Sequence, residues 1–306
     1  MLRMKDLCVK IVRGFMVLLS KLPLKFHYFM GDILTWLVKD VLHYRNRLVI
    51  HNLSRSFPEL RYRDVMKVYH GFYRHFGELF AETIWFGGCS YARLNKAGIV
   101  KVMNAGEVSE IFENTPSMTV LSTHCGNWEL LGGLPGYTTA DGCKLAVPEK
   151  SISVVYKKMS NEVADRVFAL NRIAPLVDVG TECEVESHNI LRYSLKHKDE
   201  RRMYIYPTDQ APYWGSGRFP IGKFMNQETT AMMGSVGVAC KLSHSVMYLK
   251  MKRVERGYYE MTFIPICMDA SKTTPEEIMR KYYDLLEEEI RETPENWLWS
   301  HNRWKW

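Results

Sequence analysis

Met118-Thr-Val-Leu-Ser-Thr-His-Cys-Gly-Asn-Trp-Glu-Leu-Leu-Gly-Gly133 sets the reading of the chain. The apolar run Met118–Ser122 reads as a buried strand. Gly126 and Asn127 read as a turn, and Trp128 to Leu131 as helix. A histidine at a strand end with a carboxylate five positions later, His124 and Glu129, is a general-base arrangement. Within one helix that step would separate the side chains by ~140°. With the histidine just before the helix and the glutamate in its first turn, both face one cleft. The reading then has Glu129 orient the imidazole and stabilise its charged form.

Working outward, residues 100–306 alternate in an α/β manner. Expected strands are Met118–Ser122, Lys144–Val147, Ala174–Val179, Met203–Tyr206, Val246–Arg253 and Tyr259–Pro265. Expected helices are Trp128–Leu134, Ser160–Asn171, Glu186–Lys196, Ala231–Lys241 and Pro275–Glu292. Residues 43–100 read as helical, with Val65, Val68, Phe72, Phe76 and Leu79 at helical spacing and Gly87-Gly88 as a stop. Residues 1–42 are apolar but interrupted by Lys25, His27, Asp32 and Lys39, and Pro23 breaks the pattern. They read as two helices in the membrane interface, anchored by Tyr28 and Trp36, or as one tilted span. The division is therefore 1–42 as membrane-associated helices and 43–306 as the catalytic domain.

The 306 residues suffice for a sizeable core. Seven scattered cysteines, at 8, 89, 125, 143, 183, 240 and 267, show no Cys-x-x-Cys spacing and fit reduced thiols rather than a zinc site or disulfide framework. Cys125 beside His124 reads as a small packing residue. His188, His197 and His244 lack metal-like partners. The net charge of +7 includes Lys21, Lys25, Arg45 and Arg47 beside apolar sequence, which favours an anionic lipid surface. Nothing in the chain matches a nucleic-acid-binding motif. Gly132-Gly133 lacks a P-loop ending and reads as a site of close packing.

With its flanks, the His124 segment resembles the His-x4-Asp/Glu motif of the lysophospholipid acyltransferase superfamily. Within it, the chain most resembles the late acyltransferases of lipid A biosynthesis, the lauroyl/myristoyl transferase family. The resemblance runs along nearly the whole chain, through Tyr44-Arg-Asn-Arg47, Asn52-Leu-Ser-Arg-Ser-Phe-Pro58, Tyr73-Arg-His-Phe76 and Glu82-Thr83. It continues through Val155-Tyr-Lys-Lys158 and Asn161, Arg172, Tyr206-Pro-Thr-Asp-Gln210, Phe219-Pro220 with Thr229-Thr230, and the terminal block Trp297–Trp304. The chain departs from the family pattern at Lys157-Lys158, at Ala211 in place of a second aspartate, and at Leu170-Asn171. These positions bear on acceptor and acyl-chain choice rather than on reaction type.

The resemblance implies a mixed sheet flanked by helices, as in glycerolipid acyltransferases. It implies an acyl carrier protein thioester as donor, a lipid A precursor hydroxyl as acceptor, and the cytoplasmic face of the bacterial inner membrane. It implies no metal and no redox cofactor. His124 is then the base and Glu129 its partner. Arg172, which on residue type alone is a surface or ion-pair arginine, becomes the oxyanion donor. Asp209, just past a strand, either orients an active-site cation or the acceptor sugar, or is a turn residue after Pro207. Lys157, Lys158 and Arg218 either contact phosphates or an acidic carrier protein, or are solvated surface charge. A glycerolipid or aminolipid acceptor is the alternative within the same chemistry, and a non-catalytic membrane-bound binding protein the alternative outside it.

Overall fold

The computed structural model describes residues 2–176, 183–213 and 217–305. Two helices lead, α1 (Leu2–Ser20) and α2 (Leu24–Trp36), and a π-helical turn at Leu37–Val41 follows. Next come α3 (Asn46–Ser56), the 25-residue α4 (Tyr62–Phe86) and α5 (Tyr91–Ala97). The α/β part runs β1 (Val100–Val102), α6 (Ala105–Asn114), β2 (Met118–Ser122), a 3-10 segment Trp128–Gly136, β3 (Thr138–Thr139) and β4 (Ile152–Tyr156). It continues with α7 (Glu162–Arg172), β5 (Glu184–Glu186), α8 (Ile190–Lys196), β6 (Met203–Pro207) and the hairpin β7 (Phe219–Phe224) and β8 (Gln227–Ala231). It closes with α9 (Gly234–Lys241), β9 (Ser245–Glu255), β10 (Tyr258–Cys267) and α10 (Pro275–Glu292).

Among the described residues, eight strands form one mixed sheet in the order β3-β1-β10-β9-β2-β6-β4-β5. Strands β9, β2, β6, β4 and β5 run parallel, while β10 pairs antiparallel with β9. A strand covered on both faces needs apolar side chains at successive positions, and β2 is buried throughout. Its Val120 enters one core with Met247 and Leu249. Leu121 enters the other with Val246 and Tyr248, following the two-residue strand period. The second core takes its cover from α3, α4, α9 and α10. The last of these starts at a capping box in which Thr274 and Glu277 satisfy each other's backbone N–H groups, with Pro275 in the first turn.

α1 and α2 pack on the body of the protein rather than standing apart. Lys5 pairs with Glu162 and Asp6 with Arg166, tying α1 to α7. Gly31 and Gly77 let α2 and α4 approach until a Cβ on Gly31 would lie 2.7 Å from the Gly77 carbonyl oxygen. The outward side of both helices is apolar, with Leu7, Ile11, Phe15 and Leu18 on α1 and Phe29 and Trp36 on α2 all exposed. Among the described residues no helix is long and apolar enough to cross a membrane.

Several expected elements differ. Lys144–Val147 forms no strand with any of the described residues. Ala174 and Pro175 lie in a turn, and residues 177–179 of that expected strand lie outside the described residues. Glu186, expected to begin a helix, instead ends edge strand β5, and that helix starts only at Ile190; Ala231 ends β8 rather than starting α9. The hairpin lacks the usual Asn-Gly turn; Met225 and Asn226 carry the two positive φ angles, 49° and 61°.

Candidate active site

β2 and β6 are neighbours in parallel register, with Ser122 opposite Pro207. Two residues beyond those paired ends stand His124 and Asp209, so the register itself places them side by side at the carboxyl edge of the sheet. The turn after His124 requires Gly126, whose φ is +58° and whose missing Cβ makes room for the Met251 carbonyl. His124 Nδ1 lies 2.6 Å from Asp209 Oδ1. Asp209 Oδ2 accepts the His124 backbone N–H at 3.1 Å and the Trp297 indole N–H at 2.8 Å.

Burial alone would raise the Asp209 carboxyl, but the imidazole charge and these hydrogen bonds hold it down at about 2. An ionised Asp209 fixes the imidazole proton on Nδ1. Nε2 then accepts, and the Gln210 amide donates to it at 3.0 Å. The lone pair of the base is thus at Nε2, and His124 lines a cavity of about 820 Å³.

Glu129 occupies the first turn of the 3-10 segment, where the Asn127 side chain accepts its backbone N–H at 3.2 Å. Its carboxylate faces Arg172 at the end of α7, with Nε to Oε2 at 2.9 Å and Nη2 to Oε1 at 3.2 Å. Burial opposes the guanidinium charge, and Glu129 more than restores it, raising the Arg172 pKa. The close approach depends on Gly132, where a Cβ would overlap the Arg172 carbonyl oxygen. Arg172, Glu129 and His124 all line the cavity, whose walls include Leu131, Ile152, Val154, Ile173 and Met233.

Residues 2–306 match the model of the family described as bacterial lipid A biosynthesis acyltransferase. The chain belongs to this family. It is an acyltransferase of lipid A synthesis, and the resemblance carried by the sequence blocks is thereby established. A comparison with curated proteins found no match.

In this acyltransferase the structure rearranges the expected pairings. Glu129 does not hold the imidazole; it pairs with Arg172, and the carboxylate at His124 Nδ1 belongs to Asp209. The physical reason is register: Asp209 is one strand away from His124, whereas the glycine turn and the 3-10 segment carry Glu129 toward α7. Lys157 and Lys158 line the cavity but are exposed, with Lys157 Nζ 4.7 Å over the Tyr213 ring. Arg218 is exposed and follows the cavity-lining Gly217 without itself lining the cavity.

Trp297, Gln210, His301 and Glu184 were not singled out as site residues from sequence. Gln210 adjoins Asp209 in a block already marked, and Trp297 and His301 lie in the marked terminal block, so the signal was present for these three. His301 Nε2 accepts the Ala211 backbone N–H at 3.1 Å, and burial lowers its pKa to about 4, so it is neutral. Glu184 lines the cavity with one oxygen that has no hydrogen-bond partner among the described residues; burial raises its pKa to about 7 against the pull of Arg172. Nothing in its sequence neighbourhood marked it. Cys125 is buried and its thiol is pushed well above the ordinary range by that burial, which leaves it a packing residue rather than a nucleophile.

Proposed function

We propose that this acyltransferase moves a fatty acyl chain from an acyl carrier protein thioester to a hydroxyl of a lipid A precursor. The observation that carries the reading is an oriented histidine whose acceptor nitrogen belongs to the wall of a large apolar cavity. His124 Nε2 takes the hydroxyl proton as the oxygen attacks the thioester carbonyl. Asp209 holds the Nδ1–H and balances the imidazolium that forms. Two of the five Arg172 N–H donors are engaged by Glu129, and others serve the oxyanion of the tetrahedral intermediate. Collapse breaks the carbon–sulfur bond, and the departing thiolate receives the proton from Nε2.

The apolar walls suit a hydrocarbon chain, each buried methylene contributing ~0.8 kcal/mol. Lys157 and Lys158 serve anionic groups on the acceptor or the carrier protein, and Arg218 extends that basic edge. The exposed apolar side of α1 and α2, with the nearby Lys21, Lys25, Arg45 and Arg47, suits seating in an anionic interface at the cytoplasmic face of the inner membrane. In this reading residues 1–42 form the membrane-seated part and 43–306 the catalytic domain.

The test incubates purified protein in detergent with acyl carrier protein thioesters and, separately, a lipid A precursor and a lysophospholipid. Mass spectrometry reads the products. One added acyl chain on the lipid A precursor, absent with His124→Ala, is the expected result. Acylation of the lysophospholipid alone would move the substrate class to glycerolipids while keeping the mechanism. Undiminished kcat in His124→Ala would remove His124 as the base.

A further inference from the structure

The Glu129–Arg172 pair has a support shared by both of its ends. On the Glu129 side, Asn127 Oδ1 caps the Glu129 backbone N–H, while Asn127 Nδ2 donates to Glu82 Oε2 at 2.7 Å. On the Arg172 side, the preceding residue Asn171 donates from Nδ2 to the Thr83 carbonyl at 2.9 Å. Consecutive residues of α4 therefore hold the two elements that carry the pair. Glu82, Thr83, Asn127 and Asn171 are all buried, and the arrangement leaves little alternative geometry.

Both N-terminal helices reach the same support. Tyr28 of α2 donates to Glu82 Oε1 at 2.8 Å, and Tyr259 of β10 donates to Glu82 Oε2 at 2.8 Å. Arg13 of α1 donates to Asn171 Oδ1 at 3.0 Å. Each contact lies on the inward side of a helix whose outward side is exposed and apolar.

We propose that Glu82 and Thr83 position the Glu129–Arg172 pair, and that Tyr28 and Arg13 make this geometry depend on how α1 and α2 are seated. None of the four lines the cavity, so they act through Glu129 and Arg172 and not on substrate. A buried carboxylate with three donors has a fixed orientation, and its amide neighbour Asn127 inherits it. Removing the Tyr28 hydroxyl frees one carboxylate oxygen, loosens Asn127 and lets Glu129 drift from Arg172.

The inference rests on the proposed role of Arg172, so its test is a double-mutant cycle in the acyl-transfer assay. Tyr28→Phe is expected to lower kcat about tenfold with KM for the thioester unchanged. Arg172→Lys removes the two-point contact with Glu129. In that background Tyr28→Phe should add little further loss, the combined effect falling short of the product of the single effects by about tenfold. Arg13→Met, approaching from the other helix, should repeat the pattern. If Arg172→Lys leaves kcat unchanged, the proposed oxyanion role fails. If Arg172→Lys impairs kcat but both cycles are multiplicative, or if Tyr28→Phe and Arg13→Met leave kcat unaltered, the positioning role is overturned.

Discussion

Replacing Asp209 by asparagine changes one atom and reverses the histidine. The carboxylate accepts two hydrogen bonds on Oδ2, from the His124 backbone and Trp297, and one on Oδ1, from His124 Nδ1. An asparagine must put its NH2 group at one of these positions. At the Oδ2 position it would confront two fixed N–H donors, each left buried without an acceptor at ~1–3 kcal/mol. At the Oδ1 position it confronts only the imidazole, which escapes by moving its proton to Nε2 while the Gln210 amide turns its oxygen to accept it. The second arrangement wins, and Nε2 then carries a proton where a base is needed.

The expected loss in kcat is about 10³ to 10⁴-fold, or ~4–5 kcal/mol of barrier. KM should change little, because Asp209 is only 1% exposed and does not line the cavity. The assay is single-turnover acyl transfer followed by mass spectrometry, with melting temperature as the control for folding. Adding Trp297→Phe to the asparagine variant removes one of the two donors at the Oδ2 position. The two amide orientations then come closer in energy, and part of the lost rate should return. A folded Asp209→Asn protein with kcat within tenfold of the parent would refute the tautomer argument.

Three further outcomes follow from the same geometry. Gly132→Ala forces the end of α7 away from Glu129, because its Cβ would occupy the space of the Arg172 carbonyl oxygen; kcat should fall about 100-fold, and a rate near the parent's would show that the pair tolerates displacement. Stability should fall away on both sides of about pH 4. Asp209, held down at about 2, contributes ~2 kcal/mol that is present above about pH 4 and lost as pH falls through its folded value. Glu184, raised to about 7, keeps a proton the unfolded chain has released, so stability falls as pH rises from about 4.5 through 7; Glu184→Gln should flatten that fall in melting scans, and an unchanged slope would count against it. Ile11→Asp with Phe15→Asp, both about 60% exposed, should weaken flotation with anionic vesicles more than tenfold at unchanged melting temperature, and unaltered flotation would dismiss α1 as a lipid contact.

Local pattern carried much of this molecule. β2 is read to the residue because a strand covered on both faces must be apolar at consecutive positions, and α10 announces itself through Thr274, Pro275 and Glu277. Of the interruptions in residues 1–42, Asp32 lies along the surface to meet Arg256; Tyr28, expected as an interfacial anchor, is instead buried and turns inward to Glu82, while Phe29, Met30 and Trp36 face out. His124, Arg172 and Asp209 were each visible in sequence, two of them through the family blocks. Their partners were not. Five positions in the chain made Glu129 the natural companion of His124, yet a parallel register spanning 85 positions brings Asp209 there instead, and a glycine contact delivers Glu129 to Arg172. The edge strand β5 and the Met225-Asn226 hairpin also escaped notice, since short edge segments and unusual turn residues carry little local signal. Sequence specifies which chemistry a residue can perform and which side of its own element it occupies. Which residue shares its proton is decided by strand order and backbone clearance, quantities that exist only once distant segments have packed.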